Sequence, residues 1–155
     1  MYTIGLDRDK AAHLVTHLND LLANYQLFYM NVRGFHWNIR GEKFFELHLK
    51  FEELYNDLVL KIDEVAERVL TLGGTPLHSF TDFLEISEIR EAKNKSTAHD
   101  TVEHLLRAFE ILLRKQRALL ELSDEASDEG TNAQMSDYIR EQEKLVWMYS
   151  AFLSA

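Results

Sequence analysis

The strongest constraint on this chain is how rarely its helical pattern is interrupted. Apolar residues recur at three- and four-residue spacing along most of the sequence, with one proline, Pro76, and six glycines in 155 residues. Such a chain is all-α. The first helix is expected to start at Asp7 or Asp9, either of which can cap free amides, and to run through Leu14, Leu18, Leu21, Leu22, Tyr25 and Tyr29 to about Phe35. The second reads from about Glu42 through Phe51, Leu54, Leu58, Ile62, Val65 and Val69 to Leu72, where Gly73, Gly74 and Pro76 stop it. A third spans about Thr97 to Ala126. A fourth begins at Thr131, where Thr131 and Gln134 have capping-box spacing. Between the second and third, Thr81 to Ser87 fits a couple of turns capped by Thr81.

Four long helices with one long middle connection predict a ferritin-like four-helix bundle carrying a short extra helix in that connection, one domain over residues 1–155. A chain of this length buries roughly two thirds of the surface its unfolded form exposes, so its core needs no covalent staples. With no cysteine, disulfides, thiolate nucleophiles and cysteine-held metal clusters are excluded. No apolar run approaches the ~20 residues of a membrane span and the N-terminus has no signal-peptide pattern, so the expectation is a cytoplasmic protein. A formal net charge of −9 argues against general affinity for nucleic acid, which requires clustered Lys and Arg against phosphates.

Bundles of this type can hold two metal ions between Glu-x-x-His pairs inside one chain. Here none of the seven histidines follows a glutamate by three residues, so that centre is not expected. The second helix offers another pattern, His48 with Glu52 and Asp63 with Glu67, each pair four apart and able to point at one spot. All four fall within an arc of about 100° on an ideal helix, yet His48 and Asp63 are roughly 22 Å apart along its axis. One ion cannot reach both ends of one chain. Two copies packed antiparallel across a two-fold axis would bring the Asp63/Glu67 end of one against the His48/Glu52 end of the other, forming two identical sites. His36 joins them if Gly41 folds the chain back. Two imidazoles and three carboxylates suit iron, manganese or zinc, with iron favoured by the oxygen-rich set. From spacing alone, a solvated acidic face accounts for the acids equally well.

The stretch Phe35 to Pro76 resembles the Dps mini-ferritins, the DNA-binding proteins from starved cells: His-Trp, a histidine twelve residues after the first, an acid four further on, then Asp-x-x-x-Glu eleven beyond. Asp128 to Leu153 is similar to the family's last helix. The resemblance implies a hollow homo-dodecamer that oxidises Fe(II), preferably with hydrogen peroxide, at sites shared across two-fold interfaces, and stores the ferric mineral inside. It implies His36 and His48 as ligands from one subunit, Asp63 and Glu67 from its mate, and Glu52 as a further ligand; zinc or manganese could substitute for iron. Trp37 and Trp147 resemble aromatic residues near the family's iron site, thought to quench oxidising equivalents, although packing is the commoner role of such side chains.

In the family, acids near the start of the last helix line three-fold pores, and the candidates here are Asp124, Asp128 and Asp137. This chain departs from the family's frequent pattern at Ala133. His13 and His17 form H-x-x-x-H without the glutamate of a zinc protease and read as surface residues. His78, His99 and His104 read as surface or interface residues, and Asn38 and Arg40 as closing a turn. The alternative function is a nucleoid protein that coats DNA. Arg8 and Lys10 are offset by Asp7 and Asp9, so direct DNA binding is not expected near neutral pH.

Overall fold

The computed structural model describes residues 3–154, which form five helices: α1 (Arg8–Asn38), α2 (Phe44–Thr71), α3 (Phe80–Ile86), α4 (Ala98–Glu125) and α5 (Glu129–Leu153). Short connections pair α1 with α2 and α4 with α5, and α1 also packs on α4. The stretch from Leu72 to Thr97 carries α3 across α1. No strand occurs among the described residues, and none of their helices is long and apolar enough to cross a membrane.

The apolar spacing meets in a continuous core. Leu14, Leu18, Leu21, Phe28 and Phe35 of α1 pack with Phe51 and Leu58 of α2 and with Leu105, Phe109 and Leu112 of α4, and Met135 and Tyr138 join from α5. The Phe28 and Phe109 rings meet edge to face at 5.2 Å, the arrangement that aromatic quadrupoles favour.

Three polar side chains interrupt this core and satisfy one another. The Tyr25 hydroxyl donates to Gln116 Oε1, Gln116 Nε2 donates to Gln142 Oε1 (2.8 Å), and Gln142 Nε2 donates to the Tyr25 hydroxyl (2.7 Å). The triangle ties α1, α4 and α5 together, and all three residues are at most 2% exposed. Burial pushes the Tyr25 phenol well above its ordinary pKa, so it stays a neutral donor.

Asparagines on α1 fasten the crossover. Asn24 Oδ1 accepts from the backbone amides of Glu88 and Ile89 (3.0 Å each), Asn31 bonds Ala92 N and Arg90 O (2.9 Å each), and Asn19 bonds Leu77 N and Thr75 O (3.0 Å each). Because buried amides left without acceptors cost about 1–3 kcal/mol each, Asn24→Ala is expected to lower unfolding stability by about 3 kcal/mol, read from urea denaturation. A loss below about 0.5 kcal/mol, the range of ordinary surface changes, would count against the fastening role.

Helix starts agree with expectation at Asp7 and Thr97, whose side chains accept from Lys10 N and Asp100 N. Two caps are corrected. Ser79, not Thr81, accepts at the start of α3, from Asp82 N (3.2 Å). At α5 the cap is Asp128: its carboxylate accepts from Thr131 N (3.0 Å) and the Thr131 hydroxyl (2.5 Å), so Gly130 and Thr131 lie inside the helix. The left-handed backbone of Ser127 (φ 55°) turns the chain just before it.

His104, read as a surface or interface residue, is half-buried against α1. It faces Phe35 edge-on at 5.3 Å and accepts from Asn31 Nδ2 at 3.2 Å. Burial first, then the charges of Lys95 and Arg107, hold its pKa down at about 4. A histidine with a folded pKa below its unfolded value of 6.5 keeps its stabilising contribution above pH 6.5 and loses it as the unfolded state takes up protons on the way down. Stability should therefore decline between pH 6.5 and 4, and His104→Gln should flatten that decline in denaturation midpoints measured across the range.

Candidate metal centre

α1 ends beside the site because Ile39 is buried and the backbone reverses at Gly41, whose φ of 109° suits glycine. Asn38 is the last residue of α1, where its side chain donates to Gly34 O, so the connection runs from Ile39 to Lys43; Arg40 N donates to Ser96 O (2.9 Å). This reversal lays the end of α1 against the start of α2.

Across that junction His36 and His48 stack, ring centroids 3.8 Å apart and planes inclined by 14°. Each imidazole bonds the other residue's backbone: His36 Nδ1 lies 2.7 Å from His48 O, and His48 Nδ1 lies 2.7 Å from His36 O. A carbonyl can only accept, so both Nδ1 atoms carry hydrogen. In the neutral rings both Nε2 atoms are consequently bare lone pairs, the state in which histidine binds metals while its other nitrogen is held by a backbone acceptor. Glu52 Oε1 stands 3.8 Å from His36 Nε2, and Tyr55 meets the His36 ring edge-on at 5.3 Å.

The other two candidates lie further along α2. Asp63 and Glu67 are exposed and adjacent, and a hydrogen bond to Asp63, reinforced by its charge, holds the Glu67 carboxyl above the ordinary carboxylate range. Two carboxylates thus crowd together without a protein cation to neutralise them, which favours an added cation. The neighbouring Arg68 does not serve. It turns away to Asp128 (2.6 Å) and Thr131 (2.9 Å), anchoring this end of α2 on α5. A Cβ at Gly130 would lie 2.7 Å from the Arg68 guanidinium, so glycine leaves room for that contact.

Within the chain, then, His36, His48 and Glu52 come together and Asp63 and Glu67 do not join them. No group of three or more metal-binding side chains is complete among the described residues. Both halves nevertheless face one way: Phe45, Leu49, Glu52, Asn56, Leu60, Asp63, Glu67 and Leu70 share an arc of about 80° on α2, opposite its buried stripe. Phe45 is 80% exposed and Leu60 64%, so the acids sit in an apolar strip.

Trp37 and Trp147 are 59% and 67% exposed, so neither packs into this chain's core. Of the pore candidates, Asp124 and Asp137 are exposed, whereas Asp128 is 2% exposed and held by Arg68 and Thr131, which removes it from any pore. Residue spacing did not point to Arg33 and Tyr55. The Arg33 guanidinium lies over the rings of Tyr55 (5.2 Å), Trp37 (5.3 Å) and Tyr29 (5.9 Å) and donates to the Tyr29 hydroxyl (2.7 Å), bracing the wall behind His36. The signal available was Tyr29, Arg33 and Trp37 at four-residue steps on one helical face.

The fold and the acid- and histidine-bearing α2 define a ferritin-like protein, and a family model described as Ferritin-like domain matches residues 15–155. A crystal structure of a Dps protein from Vibrio cholerae O1, described as a member of a broad superfamily of ferritin-like diiron-carboxylate proteins, is 56% identical with a TM-score of 0.97, over 99% of this chain and 97% of that one. The DNA protection during starvation protein of Porphyromonas gingivalis is 45% identical over 96% of this chain and 93% of its own length. A Dps protein from Bacillus brevis gives a TM-score of 0.91 at 36% identity, over 99% of this chain and all of that one. The chain belongs to the Dps family of ferritin-like proteins.

Proposed function

We propose that the chain is one ferritin-like domain over residues 1–155 whose copies form a cytoplasmic homo-dodecamer, a ferroxidase that oxidises Fe(II) at two-fold interfaces and stores the ferric product. The observation that carries this reading is the reciprocally bonded His36/His48 pair, two bare Nε2 atoms beside Glu52 with the set left incomplete inside one chain. The exposed apolar strip on α2 supports the completion. Asn56 is midway between Phe45 and Glu67, so an antiparallel copy centred there sets residue 49 opposite 63 and residue 52 opposite 60, laying Asp63 and Glu67 of the mate alongside His48 and Glu52 while the apolar side chains leave water.

In this reading Fe(II) is the substrate. His36 and His48 hold it through nitrogen, Asp63 and Glu67 of the mate and Glu52 through oxygen, and the carboxylates favour the more highly charged ferric product. Hydrogen peroxide as the preferred oxidant takes one electron from each of two Fe(II) and, with two protons, becomes two waters. Zinc or manganese could occupy the same donors. Trp37, beside Arg33 at the edge of the site, is placed to be oxidised by stray equivalents. Asp124 and Asp137 remain the candidate entry-pore acids.

Native mass together with Fe(II) oxidation, compared under anaerobic peroxide and under air, tests the whole reading. A dodecamer with faster peroxide-driven oxidation is expected; a monomer or simple dimer would sink it. Because protons compete with the metal for imidazole nitrogen, Fe(II) binding should be weaker at mildly acidic than at neutral pH. An isotherm unchanged between neutral and mildly acidic pH would remove the histidines from the ligand set. DNA coating is not expected at a net charge of −9, and tight, salt-sensitive mobility shifts at low salt would reverse that.

A further inference from the structure

The first half of α2 and the last half of α5 leave a groove between them of about 610 Å³, within the size range of pockets that hold small molecules. Its floor is mainly apolar, from Leu47 and Leu54 of α2 and Leu145, Met148 and Phe152 of α5. One polar group breaks that floor. Tyr149 lines the groove and is 8% exposed. The other two buried tyrosines, Tyr25 and Tyr138, donate to Gln116 and Glu64, whereas the Tyr149 hydroxyl meets no hydrogen-bond partner among the described residues. A fold seldom keeps a largely buried hydroxyl unpaired. Nor is this one sealed from solvent, as the unpaired His17 and Arg33 nitrogens are, so a molecule in the groove can reach it. Burial first, then the charge of Glu53, push its pKa up to about 12, so it stays a protonated donor.

We propose that this groove binds a neutral, mainly apolar carbonyl compound such as a quinone, whose oxygen accepts from the Tyr149 hydroxyl. The rim selects against charge. Lys43 pairs with Glu46 (3.7 Å), Lys50 with Glu53 (3.1 Å), and Lys61 holds Asp57 and Glu141 (2.8 Å each), so a charged ligand would have to compete with partners already in place. Lys144, the remaining rim cation, is exposed, where water and salt screen it. The nearby charge of Glu53 also opposes an anion at Tyr149. Because the rim carboxylates are engaged, the groove offers one donor and no acceptor in reserve. An alcohol or acid would bury a hydrogen of its own unpaired, while a carbonyl only accepts. The apolar body of the ligand then covers the leucines, Met148 and Phe152, which removes that surface from water.

The test is equilibrium dialysis of the assembled protein against menadione, a naphthoquinone, and against methylnaphthalene, which has the same fused rings without carbonyls. The chain has no cysteine, so no thiol can capture the quinone covalently. Saturation at one menadione per chain is expected. Tyr149→Phe keeps the ring and removes the donor, so it should weaken menadione about twofold to tenfold, the range of one net hydrogen bond, and leave methylnaphthalene unchanged. Met148→Trp, at a position 42% exposed, should fill the groove and exclude both compounds. No saturable menadione binding, equal effects of Tyr149→Phe on the two compounds, or binding indifferent to Met148→Trp would overturn the proposal.

Discussion

Replacing His36 and His48 together by alanine is expected to slow the initial phase of Fe(II) oxidation at least about 100-fold, because groups that merely orient a metal ligand are already worth about 10–100-fold. The physical basis is the reciprocal pair of ring-to-carbonyl bonds, which holds each Nε2 bare in the neutral rings. Single replacements should be nearly as damaging, since each ring also fixes its neighbour through the backbone. Native mass and far-UV circular dichroism should stay those of the parent, because the apolar strip on α2 is untouched. A helical bundle serving only as a scaffold makes the opposite prediction: the oxidation trace would be unaltered.

Subunit mixing should give a second large effect. A chain carrying His36→Ala/His48→Ala and one carrying Asp63→Ala/Glu67→Ala are each expected to be inactive, while their co-assembly restores oxidation to about a quarter of the parent's sites. The fraction follows from two-fold reciprocity: half of randomly formed pairs are mixed, and each mixed pair rebuilds one of its two sites from intact halves. Ligands gathered within a single chain would give no recovery at all. Leu60→Arg, which places a charge in the middle of the apolar strip, should reduce both assembled mass and oxidation, and mixing should not rescue it.

Much of the fold and of the face presented by α2 was legible in the sequence because it rests on periodicity. The face shared by Glu52, Asp63 and Glu67 follows from helical geometry, and the axial gap between His48 and Asp63 from the rise per residue. What escaped reading depends on partners remote in the chain. Asp128 displaces Thr131 as the α5 cap because Arg68, 60 positions earlier, neutralises its buried carboxylate. His104, read as a surface or interface residue, is half-buried because Phe35 and Asn31 pack against it. Asn19, Asn24 and Asn31 are unremarkable in an amphipathic helix and acquire meaning only when the crossover lies on them. The same holds for Arg33, whose three aromatic neighbours come from two helices.

The closed triangle of Tyr25, Gln116 and Gln142 has a consequence for how activity scales with the amount of protein. Its polar atoms are mutually engaged, so these three side chains offer iron no free donor, and on the proposed reading an isolated subunit lacks a complete site. On the proposed reading, oxidation per chain should rise with subunit concentration and then level off, as in a second-order encounter. A cell making too little of the chain would then hold folded protein without oxidation, and synthesis itself would set the threshold.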